Sequence, residues 1–300
     1  MMQKHRMTFL LFGSSGQVGI ELKKFLACIG DLYLPLRTEL NVNDLSALRK
    51  YIIKIKPKWI INAIAYTNVD MAEKEQKMAH ILNAVLPKNL ALISEEIGAK
   101  LIHLSTDYVF DGRGNNPYNE TSKTNPINIY GQSKLLGEQN ISYYSSQHII
   151  LRTSWVYGLW RNNFLLKMID AMKQDKPLTI VYDQIGSPTW SRHIAQGIIH
   201  IIHKINLKEE IQSNFNEWGL YHLTSEGNTN WYDFTKQIRL LSKIRYNRKI
   251  NKIKSDEFNS FAERPKFSIL SNKKILEIFD FKIPPWKTAL IDCLIDLRRY

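Results

Sequence analysis

Cysteine is scarce in this chain, and the two that occur, Cys28 and Cys293, lie far apart in its 300 residues. Neither has other cysteines or histidines around it at the spacing of a metal site. Both a disulfide scaffold and a zinc site are therefore disfavoured, and the cysteine usage fits a reducing compartment. We expect a cytoplasmic protein without a metal-ligand cluster. The eight histidines are scattered singly, and we predict that none is a catalytic base or a metal ligand.

Long hydrophobic runs are lacking as well. No stretch approaches the roughly 18 apolar residues of a membrane span. The first apolar run, residues 9–12, is too short for a signal peptide and ends at a glycine. We therefore expect no membrane partner. At 44% hydrophobic and 23% charged residues, the composition is ordinary for a folded protein, which disfavours disorder.

Acidic residues are outnumbered, with 28 Asp and Glu against 41 Lys and Arg, for a net charge of +13. Such an excess could indicate a nucleic-acid partner, but a groove-binding motif or a basic face interleaved with aromatic residues should then be visible. The densest basic stretch, residues 236–254, instead resembles a helix with a solvated face. We predict no nucleic-acid partner, and the positive field also suits an anionic nucleotide substrate.

Short apolar runs alternate with helical periodicity in the first half, which predicts a parallel α/β sheet. Strands are predicted at residues 8–12, 31–36, 59–63, 100–105 and 149–153, and helices at 20–28, 45–55, 78–97 and 130–142. We predict a Rossmann-type doubly wound parallel sheet with a smaller C-terminal substrate-binding lobe. The dinucleotide-binding domain is assigned to residues 1–155. The lobe is assigned to residues 156–300, interleaved with returning Rossmann elements.

A glycine-rich turn joins the first strand to the first helix, with the spacing GxxGxxG instead of GxGxxG. Gly13 permits the tight turn, and Gly16 lets the backbone approach a pyrophosphate at the N-terminal amides of the helix. Gly19 allows the helix to pack closely on the sheet. The position of the motif between strand and helix predicts a dinucleotide site.

The end of the second strand has no acidic residue to bind the hydroxyls of an adenosine ribose. The chain offers Leu36, Arg37 and Thr38 there. Without a carboxylate there is no repulsion against a 2′-phosphate, and Arg37 can pair with that phosphate. The sequence therefore favours NADPH and leaves NADH open.

Tyr130 and Lys134 stand four residues apart and share one face of a predicted helix. The pKa of a phenol is ordinarily near ~10, and a nearby ammonium group favours the phenolate, so Tyr130 can exchange a proton with a substrate oxygen. Lys134 can also bond the nicotinamide ribose. Thr106 ends a predicted strand and adds a hydroxyl for the same oxygen. These three residues form a predicted catalytic triad.

With these residues the chain resembles the dTDP-4-dehydrorhamnose reductases of the extended short-chain dehydrogenase/reductase family. The resemblance covers nearly the whole length. The stretches that carry it are GSSGQVG from Gly13, INAIAYTNVDMAE from Ile61, LSTDYVFDG from Leu104, NIYGQSKLLGE from Asn128, RTSWVYG from Arg152, DQIGSPT from Asp183, YHLTSEGNTNWYDF from Tyr221 and RPKFSIL from Arg264.

The resemblance implies NAD(P)H-dependent reduction of the 4-keto group of dTDP-4-dehydro-L-rhamnose, the last step in making dTDP-L-rhamnose for cell-surface polysaccharide. Hydride would come from the nicotinamide and a proton from Tyr130. The cofactor-binding positions it implies are Gly16, Gln17, Val18, Asn41, Val42, Ala63, Ile64, Ala65 and Tyr66. An acidic residue often stands where this chain has Asn41, which puts the cofactor preference in doubt.

The resemblance also places substrate contacts at Thr106, Asp107, Trp155, Gln184 and Thr189. Arg264 can supply a bidentate contact to a diphosphate. Some relatives use magnesium at a subunit interface, so magnesium and a homodimer stay open. Two other readings also stay open: reduction of a different nucleotide-linked 4-keto-6-deoxysugar, and a non-catalytic role like that of the regulatory β subunit of methionine adenosyltransferase.

Overall fold

The structure is a computed structural model that describes residues 6–211 and 215–299. Its strands are β1 Thr8–Phe12, β2 Asp31–Tyr33, β3 Trp59–Asn62, β4 Lys100–Thr106, β5 His148–Thr153, β6 Val156–Tyr157, β7 Leu178–Val181, β8 Ile185–Gly186, β9 Thr189–Trp190, β10 Gly219–His222, β11 Thr229–Asn230 and β12 Ile250–Ile253. Its α-helices are α1 Gln17–Ile29, α2 Leu45–Ile55, α3 Val69–Lys74, α4 Gln76–His80, α5 Leu86–Ile97, α6 Ile129–Tyr144, α7 Phe164–Lys173, α8 Ser191–Glu210, α9 Trp231–Ser242, α10 Lys273–Phe279 and α11 Trp286–Leu297.

The central sheet has six strands in the order β10-β5-β4-β3-β1-β2, and each neighbouring pair is parallel. The chain moves outward from β1 to β2 on one side and from β3 to β5 on the other. The strand order therefore reverses between β1 and β3, where open α/β sheets bind ligands beyond their carboxyl ends. The prediction of a Rossmann-type parallel sheet is confirmed.

Helices cover both faces of this sheet because its strands are apolar on both faces. On β1, Phe9 and Leu11 pack in one cluster with residues of α1, α8 and α10. The alternate residues Leu10 and Phe12 pack in a second cluster with α2, α5 and α6. Strands buried on both sides in this way read as continuous apolar runs.

The predicted helix at residues 78–97 is interrupted in the structure. It consists of α4, a π-helical segment at Ile81–Val85, and α5. The second strand is also shorter than predicted and ends at Tyr33. Both differences lie at segment ends or inside a periodic run, where hydrophobic spacing carries little information about hydrogen-bond register.

Beyond β5 the chain forms small two-stranded sheets, β6 with β9, β7 with β12 and β8 with β11. It also returns to the central sheet, because β10 pairs with β5 and α8 packs against α1. The division into domains at residue 155 stays a prediction. Among the described helices, none is both long and apolar enough to cross a membrane.

Candidate active site

A cleft of about 560 Å³ lies at the carboxyl ends of the central strands, beside the point where the strand order reverses. Segments that follow β1, β3 and β5 line it together with β4 and α6. The lining residues are Ser15, Gly16, Gln17, Val18, Arg37, Ala63, Ile64, Ala65, Thr67, Leu104, Ser105, Tyr130, Lys134, Thr153, Val156, Arg161 and Asn162.

The glycine-rich turn forms one wall of this cleft. Gly13 has a φ of +81°, and a Cβ atom there would lie 2.7 Å from the backbone of Ala63. A Cβ atom on Gly19 would lie 2.0 Å from the carbonyl oxygen of Gly13. Both positions therefore need glycine. Residues 15–18, at the start of α1, line the cleft, and the amides of a helix N-terminus can bind a pyrophosphate.

Two guanidinium groups line the cleft. Arg37 lines it, as expected for a residue that meets a 2′-phosphate. Arg161, which the sequence did not single out, also lines it, and its Nε donates to the carbonyl oxygen of Ser15 at 2.7 Å. The cleft therefore offers two cations to the phosphates of a dinucleotide.

The segment after β3 lines the cleft beside the glycine-rich turn and is fixed by buried side-chain amides. Asn62 accepts a hydrogen bond from the amide nitrogen of Ile64 at 3.1 Å. Asn83, in the π-helical segment, accepts from the amide nitrogen of Tyr66 at 2.8 Å and donates to Ser133 on α6 at 3.0 Å. The π-helical turn therefore ties this loop to the helix that carries Tyr130.

Tyr130 stands in the first turn of α6, which begins after Asn128, whose side chain accepts from the amide nitrogen of Gly131 at 2.8 Å. Desolvation by burial raises the pKa of Tyr130 to about 12, while a hydrogen bond with the Thr106 side chain opposes that rise. Tyr130 is therefore a protonated acid at neutral pH. The sequence prediction that Lys134 brings its pKa down has no counterpart among the contacts that set this pKa.

Lys134 lines the cleft one turn beyond Tyr130 and is almost fully buried. Its Nζ atom lies 2.5 Å from the carbonyl oxygen of Leu104 and 3.0 Å from Nε2 of His103, both on β4. Burial lowers the pKa of Lys134 to about 8, and the charge of Glu138 opposes that fall. β4 therefore fixes the nitrogen of this side chain, although the lysine belongs to α6.

Thr106 and Asp107 are buried next to Tyr130, at the end of β4. The Thr106 hydroxyl lies 3.1 Å from Oδ1 of Asp107, and Oδ2 of that carboxylate has no partner among the described atoms. Burial raises the pKa of Asp107 to about 7, while the neighbouring Ser268 and Thr106 side chains lower it. Neither Thr106 nor Asp107 lines the cleft, so substrate contacts by these two residues stay predictions.

Ser105 also lines the cleft, but its hydroxyl is already engaged. It donates to Oε1 of Glu138 at 2.5 Å. That carboxylate in turn accepts from Nε and Nη2 of Arg152 at 2.9 and 2.6 Å, in a pair that is almost fully buried. Thr106 is therefore the hydroxyl of this strand end that remains in contact with Tyr130.

On the predicted substrate side, Trp155 has a φ of +46°, a conformation that bulky residues rarely adopt. Its indole stacks on that of Trp231 with ring centroids 3.5 Å apart. A Cβ atom on Gly186 would lie 2.5 Å from the Trp155 ring, so glycine is needed to admit the indole. The stack with Trp231 holds the strained tryptophan in place, and a substrate contact by Trp155 stays a prediction.

The other predicted substrate residues are bonded to protein groups. Gln184 donates to Ser255 and accepts from Trp231. Thr189 is fully buried and donates to the carbonyl oxygen of Ser187 at 3.0 Å. Arg264 pairs with Asp70 at 2.7 Å. Direct substrate contacts by Gln184, Thr189 and Arg264 stay predictions.

Of the predicted cofactor residues, the cleft brings together Gly16, Gln17, Val18, Arg37, Ala63, Ile64, Ala65, Tyr130 and Lys134. Asn41 and Val42 do not line it; the Asn41 side chain accepts from the amide of Asn43, and Val42 packs on the core. Tyr66 lies behind it, with its hydroxyl 2.8 Å from Glu75. The roles of these three stay predictions.

Within the described ranges, 6–211 and 215–299, no group of three or more His, Cys, Asp or Glu side chains is arranged to hold a metal ion. Magnesium therefore has no support in this site. Arg161, Asn83, His103 and Glu138 are the polar residues that sequence reasoning missed. Glu138 ends the NIYGQSKLLGE stretch, one helical turn after Lys134, but no role was predicted for it, and the other three lie outside the quoted stretches.

Comparison with known proteins agrees with this geometry. The family model described as the RmlD substrate binding domain matches residues 7–299. A dTDP-4-dehydrorhamnose reductase from Shigella flexneri is 36% identical over 300 residues, covering 97% of this chain and 98% of that protein.

Solved structures extend the comparison to three dimensions. A dTDP-4-dehydrorhamnose reductase from Clostridium acetobutylicum superposes with a TM-score of 0.89 at 34% identity, covering 98% of this chain and 100% of that one. The corresponding enzyme from Bacillus anthracis, solved in complex with NADP, also has a TM-score of 0.89 at 34% identity, covering 97% and 99%.

Proposed function

The chain belongs to the family of dTDP-4-dehydrorhamnose reductases, and from this premise we propose that it reduces the 4-keto group of dTDP-4-dehydro-L-rhamnose to give dTDP-L-rhamnose. One observation carries the proposal. Tyr130 and Lys134 line the same cleft as the glycine-rich turn and Arg37. A proton donor is therefore placed beside a site shaped for a dinucleotide.

We propose NADPH as the cofactor, and the cleft fits it. Gly13 and Gly19 leave no room for a Cβ atom, which keeps the turn close to the pyrophosphate position. Arg37 and Arg161 line the cleft, and a guanidinium group pairs well with a phosphate. The solved relative in complex with NADP supports this choice.

When bound, the reduced nicotinamide supplies a hydride to the carbonyl carbon. Tyr130 donates its proton to the carbonyl oxygen, and the pKa of about 12 keeps that proton in place until negative charge develops on the oxygen. The hydroxyl of Thr106, in contact with Tyr130, stabilises the phenolate that remains. Lys134 adds a positive charge on the same helix face and orients the ribose.

On the sugar side, the buried carboxyl oxygen of Asp107 that lacks a protein partner is suited to accept from a sugar hydroxyl. We also propose that the half-buried stacked pair of Trp155 and Trp231 presents an apolar surface to the sugar ring. We also propose that the enzyme acts in the cytoplasm, in keeping with the scarcity of cysteine.

The test is to supply dTDP-4-dehydro-L-rhamnose, made in place by the upstream dehydratase and epimerase, and to identify the product by NMR. The proposal expects loss of NADPH absorbance and formation of dTDP-L-rhamnose. Formation of a different 6-deoxysugar from another nucleotide-linked ketone would favour the hypothesis that the enzyme reduces a different 4-keto-6-deoxysugar. Tight NADPH binding with no turnover on any such ketone would favour the hypothesis of a non-catalytic regulatory subunit.

A further inference from the structure

A buried chain of three polar side chains runs from β3 through β4 to the catalytic helix. Asn62, His103 and Lys134 are each 1% exposed or less. The amide nitrogen Nδ2 of Asn62 lies 3.0 Å from Nδ1 of His103. On the other side of the ring, Nε2 lies 3.0 Å from Nζ of Lys134. The imidazole therefore has a nitrogen of another side chain at each of its own two nitrogens.

The backbone sets the orientation of the Asn62 amide. Its Oδ1 accepts from the amide nitrogen of Ile64 at 3.1 Å, so its NH₂ group must face His103. Reversing the amide would place NH₂ against the N–H of Ile64, a contact between two donors. Asn62 is therefore a hydrogen-bond donor to Nδ1, and Nδ1 must carry a lone pair.

Counting the available hydrogens then determines the tautomer of His103 and the protonation state of Lys134. A neutral imidazole with a lone pair on Nδ1 carries its proton on Nε2. That N–H points at Nζ of Lys134, which can accept it as a neutral amine but not as an ammonium group. An imidazolium is no better, because it would put a second donor against Asn62. The three side chains are compatible when Lys134 is uncharged.

We propose that His103, held by Asn62 as the Nε2–H tautomer, is a positioning residue that keeps Lys134 as a neutral amine until the dinucleotide binds. The amine then donates one of its two hydrogens to the carbonyl oxygen of Leu104, 2.5 Å away, and keeps the other for the cleft. The meaning of this arrangement for catalysis rests on the proposed reductase function. The protonation state itself does not.

The charges around Lys134 do not overturn this count. Titratable groups near it stand on its own helix, on β4, on the turn that follows β4 and on β5. They are Tyr130, Glu138, His103, Asp107 and Arg152. The carboxylate of Glu138 is neutralised by its buried pair with Arg152. Burial lowers the pKa of Lys134 to about 8 and that of His103 well below its ordinary value, in the directions that the hydrogen count requires.

Binding of a dinucleotide should reverse the protonation state of Lys134. Its phosphates bring negative charge into the cleft that Lys134 lines, and its ribose oxygens offer new acceptors to Nζ. Both effects favour the ammonium form. Cofactor binding should therefore take up a proton, and the uptake should depend on the tautomer of His103.

The experiment is isothermal titration calorimetry of the whole protein with NADP⁺ at about pH 8, in two buffers of different ionisation enthalpy. At that pH the 2′-phosphate is already a dianion, since its second pKa lies near ~6, and an ordinary lysine with a pKa near ~10.4 is already charged. We expect the wild type to take up roughly half a proton per site, because a lysine whose pKa is about 8 is about half deprotonated at this pH before the cofactor binds.

Two substitutions should abolish the uptake while cofactor still binds. His103→Gln places an amide oxygen toward Nζ, which favours the ammonium group before the cofactor arrives. Asn62→Asp replaces the donor at Nδ1 with an acceptor, inverts the tautomer and leaves Nε2 to accept from an ammonium group. The control is His148→Gln, another buried histidine, on β5, whose Nδ1 lies 2.6 Å from the carbonyl oxygen of Ser145. It should keep the wild-type uptake.

Each outcome of the calorimetry bears on whether His103 keeps Lys134 uncharged in the free protein. Zero uptake by a wild type that binds NADP⁺ would overturn the inference and leave the reductase proposal standing. Equal uptake in the wild type and in both variants would also overturn it. Where His103→Gln fails to fold, Asn62→Asp decides. Failure of the wild type to bind NADP⁺ would overturn the proposed function and this inference together.

Discussion

Nζ of Lys134 lies 3.0 Å from Nε2 of His103, a contact that joins the catalytic helix to the middle of the central sheet. A second contact, 2.5 Å to the carbonyl oxygen of Leu104, holds the same atom to the same strand. The lysine is therefore fixed by β4 while Tyr130, one turn earlier on α6, contacts the end of that strand through Thr106. One strand positions both groups.

Lys134→Met should lower turnover and weaken NADPH binding together. The substitution keeps roughly the volume of the buried side chain but removes the nitrogen that, in the proposed mechanism, orients the ribose and adds positive charge on the helix face of Tyr130. We expect kcat to fall by about 10²-fold and KM for NADPH to rise. Steady-state kinetics with each substrate varied in turn measures both. An effect confined to kcat would contradict the contact with the cofactor.

Arg37→Glu should shift the preference from NADPH toward NADH. A charge-assisted hydrogen bond contributes about 1.5–3 kcal/mol, so the ratio of kcat/KM for the two cofactors should fall by at least about tenfold. Arg245→Glu changes the net charge equally at an exposed position on another groove, and it should leave the ratio unchanged. Equal effects of the two substitutions would mean that Arg37 acts only through the net positive charge of the protein and not through a direct contact with the 2′-phosphate.

Glu138→Gln should destabilise the fold because it leaves Arg152 without its carboxylate in a buried site. Removing one partner of a buried ion pair costs about 3–5 kcal/mol of the free energy of unfolding. Glu96→Gln breaks the comparable pair with Arg49 at an exposed position, and it should cost far less. Denaturant unfolding of both variants makes the comparison, and a similar loss in the two would contradict the importance of burial.

Asp107 should make the stability of the protein depend on pH. Burial raises its pKa from 3.8 to about 7 in the folded state, so the folded protein binds the proton more tightly than the unfolded chain does. Its contribution to stability is therefore full below about pH 4 and is lost as the pH rises through about 7. Asp107→Asn should remove this decline. Thermal melts of both proteins across that range test it, and parallel curves would refute it.

The sequence was sufficient for the sheet and for the wall of the cleft formed by the glycine-rich turn. Thr8–Phe12 is apolar throughout and runs directly into Gly13, so strand, turn and helix follow from local rules. The π-helical turn at Ile81–Val85 did not follow, because its hydrogen-bond register is set by Asn83 bonding to Tyr66 and Ser133. Those partners are distant in sequence.

The polar residues behind the cleft were missed for a related reason. His103 is a single histidine within an apolar strand, and nothing in its sequence neighbourhood distinguishes it from a core residue. Its partners are Asn62 and Lys134, respectively 41 and 31 residues away. Such contacts depend on how β3, β4 and α6 pack in the folded protein. The pair Tyr130 and Lys134, by contrast, can be predicted from its four-residue spacing on one helix.

Tyr130 is proposed to be the proton donor of a keto-sugar reductase. Comparing the wild type with Tyr130→Phe tests this role most directly. NADPH oxidation is followed with dTDP-4-dehydro-L-rhamnose, while NADPH binding is measured separately. We expect turnover by the wild type and a decrease in kcat of about 10²-fold or more in the variant, with binding of NADPH retained. Wild-type turnover by Tyr130→Phe would contradict the mechanism, and a wild type that binds NADPH without turning over the ketone would contradict the function.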